Sequence, residues 1–225
     1  IANLISNEGI QPYNILAVTF TNKAAKEMKE RISKRIGEEK VKSLWMGTFH
    51  SICSKILRSE IHLLGRTSNF VIYDSADQAK LLNECLKKAN LDEKAFPPNK
   101  ILSSISKAKS SGLTAEEYAG RHLSYGEQKI GELYHLYENS LKRNNALDFD
   151  DMLFYVVKIF RDNSERLEHY QRKFRYILVD EYQDTNHVQY ELINLLGNMY
   201  RNICVVGDLD QSIYSFRNAD FRIIL

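Results

Sequence analysis

Two adjacent carboxylates follow a short apolar run near the end of the chain. Asp180 and Glu181 come directly after Tyr176–Val179, whose composition predicts a buried strand. Parallel α/β sheets bind their ligands at the carboxyl ends of strands. In magnesium-dependent phosphoryl transfer, one carboxylate can hold the hydrated cation while the next accepts a proton from the attacking water. The pair predicts such chemistry; the alternative is that both acids only solvate a strand end or cap the next helix.

A second apolar run, 203–206, also ends in polar residues. Gln211 lies in the aspartate-rich loop that follows it, 207–212. A carboxamide donates and accepts hydrogen bonds, so it suits a γ-phosphate and its attacking water. The alternative is an ordinary hydrophilic turn that Asp side chains stabilise. We expect the two strand ends to deliver Asp180, Glu181 and Gln211 to one crevice.

Three further places in the sequence suit contact with nucleic acid. Aromatic residues spaced by two, with a neighbouring arginine, can stack on bases and contact phosphate. Strand-to-helix junctions offer hydroxyls and free backbone N–H groups to phosphate. The alternatives are a buried aromatic core, ordinary helix caps and a hydrogen-bonded surface imidazole. The candidate residues are Tyr214, Phe216 and Arg217 in the aromatic cluster, Thr19, Phe20 and Asn22 at one junction, and Thr48 and His50 at the other.

Strand and helix patterns alternate in the first and last thirds of the sequence, whereas the middle predicts helices only. The expected fold class is α/β, a parallel sheet flanked by helices, with an all-helical subdomain inserted between about Ser75 and Asn145. Three capping boxes predict helix starts in the insertion: Ser75 with Gln78, Thr114 with Glu117, and Ser124 with Glu127. The predicted strands are 15–20, 44–47, 70–73, 176–179 and 203–206, and the predicted helices around them are 22–36, 48–64, 148–161 and 187–196.

Composition excludes several classes of protein. The 225 residues are 44% hydrophobic and 27% charged, with only 10 Gly and 3 Pro, which is typical of a helix-rich globular protein. Apolar runs are far shorter than the roughly 20 residues of a membrane-spanning helix. The 3 cysteines lack disulfide or zinc spacing, which favours a cytoplasmic location. The net charge of +2 says little, but residues 1–66 carry an excess of basic side chains that favours an anionic ligand.

Taken together, these motifs resemble the first motor domain of UvrD/PcrA/Rep-type superfamily 1A DNA helicases. The resemblance covers essentially the whole chain and implies a RecA-like P-loop NTPase sheet. It assigns subdomain 1A to residues 1–74 and 146–225 and the helical subdomain 1B to residues 75–145. Residues 17–25 resemble the family's motif Ia, 47–51 motif Ib, 180–184 motif II and 207–217 motif III, and 147–151 match a further family segment.

The resemblance also implies an activity. It indicates an ATP-driven motor that moves 3′ to 5′ on single-stranded DNA and unwinds duplex junctions in DNA repair or replication, with accessory proteins among its partners. Asp180 would hold Mg²⁺, Glu181 would be the catalytic base, and Gln211 would sense the γ-phosphate of ATP. The DNA path would be lined by Phe20, His50, Tyr214 and Phe216.

One expected motif is missing from the chain. No Gly-x-x-x-x-Gly-Lys-Ser/Thr phosphate loop occurs in it. The resemblance places that loop before Ile1 and a second motor domain after Leu225, so the chain alone is expected to be inactive. The missing loop keeps a second hypothesis open, a non-catalytic module that binds single-stranded nucleic acid. A third hypothesis, a metal-dependent nuclease using Asp180, Glu181 and Asp208, is less favoured because no lysine accompanies these acids in the nearby strand.

Overall fold

The computed structural model describes residues 1–121, 124–208 and 210. Three short 3₁₀ turns, Pro12–Asn14, Ile61–Leu64 and Tyr182–Asp184, join the longer elements of this part of the chain. Its strands are β1 (Ile15–Thr19), β2 (Trp45–Thr48), β3 (Val71–Ile72), β4 (Ala146–Leu147), β5 (Tyr176–Val179) and β6 (Ile203–Val205). Its helices are α1 (Ala2–Ser6), α2 (Asn22–Ile36), α3 (Glu38–Lys42), α4 (Phe49–Glu60), α5 (Ser75–Lys88), α6 (Pro98–Ser110), α7 (Ala115–Ala119), α8 (Tyr125–Arg143), α9 (Asp151–Asp162), α10 (Ser164–Lys173) and α11 (His187–Gly197).

The chain divides into two compact units. The first is formed by Ile1–Ile56 together with the chain from Val156 onward, and the second by Leu57–Tyr155. The subdomain boundaries drawn from the sequence, at 74/75 and 145/146, remain predictions. None of the described helices is long and apolar enough to cross a membrane.

The first unit contains a four-stranded parallel sheet in the order β2-β1-β5-β6. Every residue of β1 is buried, as expected for a central strand that helices cover on both faces. Thr19 pairs with Thr48, and Val179 pairs with both Val18 and Val205. This arrangement confirms the predicted α/β fold class. Because all four strands run the same way, the residues that follow them lie along one edge of the sheet, here called the carboxyl edge.

The two faces of this sheet are covered by different helices. Ile15 on one face packs in a cluster with Ile5, Ile32 and Val41 from helices α1, α2 and α3. On the other face, strand residues and side chains from α4 and α11 line one small apolar cavity. Successive strand residues point to opposite faces, so β1 supplies both cores. The lining of the cavity consists of Leu16, Val18, Phe49, Ile52, Ile177, Leu192, Ile193 and Leu196.

The second unit has a helical core beside a two-stranded parallel sheet of β3 and β4. All elements described between Ser75 and Asn145 are helices, as predicted. Leu82 and Leu86 of α5, Ile105 of α6, and Leu133 and Tyr137 of α8 are fully or almost fully buried in one cluster. The capping boxes at Thr114 and Ser124 are confirmed.

The predicted capping box of Ser75 with Gln78 is wrong by one residue. The carboxylate of Asp74 accepts hydrogen bonds from the N–H groups of Ala76 and Asp77, at 2.8 and 2.9 Å, and the Asp77 carboxylate accepts from the N–H of Asp74 at 3.3 Å. Asp74 is therefore the N-cap of α5, and Ser75 is its first helical residue. A carboxylate also interacts more favourably with the positive end of the helix dipole than a hydroxyl does.

The side chain of Asp74 stabilises the first turn of α5. The Asp74→Ala substitution is expected to lower the free energy of opening of the first turn of α5 by about 1 kcal/mol, because two backbone donors lose their acceptor. Ser75→Ala is the matched control, since the Ser75 hydroxyl has no partner among the described residues, and it should change that free energy little. Amide hydrogen exchange in the full-length protein measures both. An equal loss in the two variants would contradict the assignment of the cap.

Two predicted helices have different bounds in the structure. The helix expected at 148–161 begins instead at Asp151. Asp148 Oδ1 accepts a hydrogen bond from the Asp151 N–H at 2.9 Å and so stabilises the start of this helix. The helix expected at 48–64 is α-helical only to Glu60 and continues as a 3₁₀ turn to Leu64. Gly65 then ends it in the left-handed conformation, at φ 65°.

Candidate functional site

Asp180 is the first residue beyond β5 at the carboxyl edge. Its N–H donates to the carbonyl of Val18 at 3.0 Å, which extends the pairing of β1 and β5 by one residue. The side chain is half-buried. No hydrogen bond or ion pair reaches its carboxylate from the described residues. Its predicted role as a cation ligand stays a prediction.

Glu181 has a strained backbone. Its φ of 53° and ψ of 42° place a non-glycine residue in the left-handed region, which costs about 1–3 kcal/mol and occurs most often at functional sites. The conformation turns the chain sharply from β5 into the 3₁₀ turn Tyr182–Asp184. Hydrogen bonds from the Tyr182 N–H to the Val206 carbonyl, at 2.9 Å, and from the Val206 N–H to the Val179 carbonyl, at 2.8 Å, hold both sides of this turn.

The end of β6 meets the end of β5 through the side chain of Gln183. This residue is 1% exposed, donates to Glu181 Oε2 at 2.7 Å and accepts from the Asp208 N–H at 3.0 Å. Gln183 has no role predicted from its sequence position. A signal was present in the sequence, because a carboxamide follows the candidate base Glu181 by two residues. However, the Gln183 side chain reaches Glu181 only because the left-handed turn redirects the backbone, and the sequence does not show that turn.

The junction between β1 and α2 has the groups that the sequence predicts. Thr21 caps α2, accepting from the Ala24 N–H at 3.1 Å, and Asn22 is exposed in the first turn. Phe20 is half-buried and packs edge-on against Phe49, with ring centroids 5.4 Å apart. The hydroxyl of Thr19 is buried without a hydrogen-bond partner among the described residues. Such an orphaned polar atom is rare unless a ligand or water completes it.

The junction between β2 and α4 lies beside the first one. Thr48 accepts a hydrogen bond from the Ser51 N–H at 3.2 Å, while the Ser51 hydroxyl donates to the Thr48 carbonyl at 2.8 Å. A side chain at Gly47 would lie 2.3 Å from Ser51 Oγ, so glycine permits this close cap. His50 is half-buried at the start of α4. The two junctions place Thr19 and Thr48 side by side through their strand pairing.

Four of the predicted site residues lie outside the described residues. They are Gln211, which the sequence analysis assigns to the γ-phosphate, and Tyr214, Phe216 and Arg217, which it assigns to DNA. The last described residue of that loop is Asp210, whose N–H donates to Asp208 Oδ1 at 3.0 Å. The remaining predicted residues all lie at the carboxyl edge of the first unit.

The residues at this edge fit a hydrated magnesium ion. Magnesium prefers oxygen ligands and binds through one or two carboxylates while keeping several waters. Asp180 supplies a half-buried carboxylate that no cation of the described residues contacts, and the Thr19 hydroxyl, which has no partner among those residues, lies on the adjacent strand. Glu181, whose carboxylate accepts from Gln183, is held in place next to it.

A second group of acids, in the other unit, does not suit a metal. Carboxylate oxygens of Glu138, Asp148 and Asp151 lie close enough together to ligate one ion. However, the ammonium of Lys109 already contacts all three at 2.6 Å. We call these four residues the buried ion cluster. The cation of this cluster is a lysine, which distinguishes it from the open carboxylate at Asp180.

Comparisons with known proteins identify the family of the chain. The UvrD/REP helicase N-terminal domain family matches residues 1–225. An ATP-dependent DNA helicase PcrA of Staphylococcus epidermidis is 47% identical over 225 residues, which is 100% of this chain and 31% of the relative. The same-named protein of Staphylococcus aureus is 45% identical over the same share of each chain. The chain thus spans about a third of the length of these curated relatives, and it belongs to the UvrD/REP helicase N-terminal domain family.

Proposed function

We propose that this chain is the N-terminal motor segment of an ATP-dependent 3′–5′ DNA helicase. The whole protein would couple Mg-ATP hydrolysis to movement on single-stranded DNA and to unwinding of duplex junctions in repair or replication, in the cytoplasm. The observation that carries this proposal is the pair Asp180–Glu181, one acid open and one held, at the carboxyl edge of a parallel sheet. Family membership and the PcrA relatives support it.

Asp180 and Glu181 have different roles in the proposed reaction. Asp180 holds the magnesium ion, which when bound neutralises charge on the phosphates. Glu181 orients a water molecule and accepts its proton as the water oxygen bonds to the γ-phosphorus and the bond from that phosphorus to the bridging oxygen of ADP breaks. The left-handed backbone at Glu181 turns the chain sharply after Asp180, and the Glu181 carboxylate accepts a hydrogen bond from Gln183. Gln211 senses the γ-phosphate in the same proposal.

The junction residues form the DNA side of the proposed site. Phe20 offers an aromatic face to a base, and its packing against Phe49 limits its freedom before DNA binds. Hydroxyl and amide groups at the helix starts contact phosphates. The residues assigned to DNA are Thr19, Phe20, Asn22, Thr48, His50, Tyr214, Phe216 and Arg217.

The experiment measures strand displacement by the full-length protein that contains this sequence. Duplexes with a 3′ or a 5′ single-stranded tail are compared with ATP and Mg²⁺, and we expect displacement of the 3′-tailed duplex only. DNA binding without displacement or ATP turnover would favour the alternative, a non-catalytic single-strand binding module. Cleavage of the DNA in Mg²⁺ without nucleotide would favour a nuclease.

Asp180→Asn tests the magnesium ligand in an assay of ATP hydrolysis by the full-length protein. Losing one charged ligand costs about 1.5–3 kcal/mol, so the Mg²⁺ concentration for half-maximal ATP hydrolysis should rise at least about tenfold. Asp162→Asn is the matched control, since its carboxylate forms only an exposed pair with Lys158. An unchanged Mg²⁺ dependence in Asp180→Asn would remove Asp180 from the proposed site.

A further inference from the structure

Gln183 connects the two strand ends of the site through one buried side chain. Its Nε2 lies 2.7 Å from Glu181 Oε2, and its Oε1 lies 3.0 Å from the backbone nitrogen of Asp208. It is 1% exposed, so water does not compete for either contact. Both bonds belong to the first unit and to its carboxyl edge.

The chemistry of these two contacts requires a carboxamide. An ionised carboxylate only accepts hydrogen bonds, and a backbone N–H only donates. A side chain that satisfies both must therefore donate and accept. A carboxamide does this at two separate atoms, which also fixes the orientation of the Gln183 amide. Glu could accept from Asp208 but not donate to Glu181, and Met could do neither.

The backbone around Gln183 is shaped to let this side chain approach. A Cβ at Gly207 would lie 2.6 Å from Gln183 Oε1 and within 3.3 Å of two backbone nitrogens, those of Gln183 and Tyr182. Only a residue without a side chain leaves that space free at position 207. The hydrogen bond from Tyr182 to Val206 fixes the same two segments to each other one residue earlier.

We propose that Gln183 is a positioning residue that holds the Glu181 carboxylate for water activation and fixes it to the loop at Gly207–Asp208. This inference rests on the proposed function of Glu181 as the base. Gln183 acts through Glu181 and contacts neither water nor nucleotide in this assignment.

The test uses the Gln183→Met substitution in the full-length protein, which keeps the length of the side chain and removes both contacts. We expect kcat for DNA-stimulated ATP hydrolysis to fall about 10–100-fold, the range for a lost supporting hydrogen bond, while KM for ATP changes less than about twofold. Gln189→Met is the matched control: Gln189 is also a buried glutamine in a capping contact, at the start of α11, and its loss should leave kcat unchanged.

A double-mutant cycle separates positioning from a general loss of structure. If Gln183 acts through Glu181, then Gln183→Met should lower kcat by less than about twofold when Glu181 is already Gln. A structural defect would lower kcat by the same factor in both backgrounds. Should Gln183→Met fail to fold, Gln183→Asn replaces it in the cycle, because this variant keeps an uncharged carboxamide but is one methylene too short to make both contacts from the same backbone position.

Each outcome of the cycle decides the inference. Unchanged kcat in the Gln183 variant, or an equal loss in both backgrounds, overturns the positioning role and leaves the assignment of Glu181 intact. Full activity of Glu181→Gln overturns the base itself, and with it the proposed role of Gln183. A loss confined to the background with Glu181 present supports the inference.

Discussion

Replacing Glu181 with Gln is expected to lower kcat for DNA-stimulated ATP hydrolysis about 10²–10⁴-fold in the full-length protein, the contribution of a positioned general base. Gln has the same length as Glu and the same number of heavy atoms, but its amide does not accept a proton from water. The strained left-handed backbone at this position is retained, because the hydrogen bonds that hold it come from Tyr182 and Val206. Nucleotide binding should persist, because Asp180 and the rest of the site are unchanged.

The matched control for this variant is Glu38→Gln. Glu38 is exposed at the start of α3 and has no assigned role in the site, so its substitution removes one unit of negative charge from the first unit, as Glu181→Gln does. Its turnover should equal that of the wild type. Single-turnover hydrolysis and binding of a fluorescent nucleotide are measured on both variants. Turnover by Glu181→Gln at the wild-type rate would exclude Glu181 as the base.

The position of this acid pair was predictable because it depends on one strand. Two carboxylates that directly follow a buried strand of a parallel sheet must lie at the carboxyl end of that strand. The strand β5 has the predicted bounds, Tyr176–Val179. The left-handed turn at Glu181 was not predictable, because no glycine or asparagine marks it. Gln183 consequently had no expected partner, although its contacts define the geometry of the site.

Local signals also decided which elements of the fold could be predicted. Helix α2 has its predicted bounds, since Thr21 caps it and Gly37 ends it. The start of α5 was displaced by one residue because Asp74 and Ser75 are both good N-caps and both have a suitable partner three residues later. No helix was predicted at 164–173, where α10 lies, because only Leu167 and Tyr170 among its residues are clearly apolar, too few to define a helical face.

No local sequence pattern predicts the buried ion cluster. Lys109 lies on α6, Glu138 on α8, and Asp148 and Asp151 at the start of α9, so only the tertiary fold brings them together. Lysine on an amphipathic helix is almost always exposed, yet the side chain of Lys109 is 0% exposed. The segment 147–151, which the sequence analysis matched to its family without a physical role, is one wall of this cluster.

The charges in the cluster depend strongly on one another. Burial by itself lowers the pKa of Lys109, but Asp148, Asp151 and Glu138 outweigh it and hold that pKa well above its ordinary value. Asp148 and Asp151 also accept from each other's backbone N–H groups, at 2.9 and 3.0 Å, so the same carboxylates cap α9. Tyr155 donates to the second oxygen of Glu138 at 2.6 Å. Removing the one ammonium would therefore leave three acids facing one another in a buried site.

Lys109→Met is expected to destabilise the second unit by about 3–5 kcal/mol, the cost of leaving buried charges without their partner. Methionine fills the volume of the lysine stem, so the loss of charge rather than a cavity dominates. Amide hydrogen exchange of α6 and α8 in the full-length protein measures the change as a lower free energy of opening. Lys107→Met makes the same substitution at an exposed position of the same helix, and it should alter that free energy by less than about 0.5 kcal/mol.

A compensating variant distinguishes charge from packing as the origin of this loss. Adding Asp148→Asn and Asp151→Asn to Lys109→Met removes two of the three stranded charges, and each new amide oxygen can still accept the capping hydrogen bond at the start of α9. Replacing all partners of a buried ion pair is often nearly neutral, whereas removing one is not. The triple variant should therefore open less readily than Lys109→Met alone. If it is equally or less stable, shape rather than electrostatics sets the requirement for lysine at position 109.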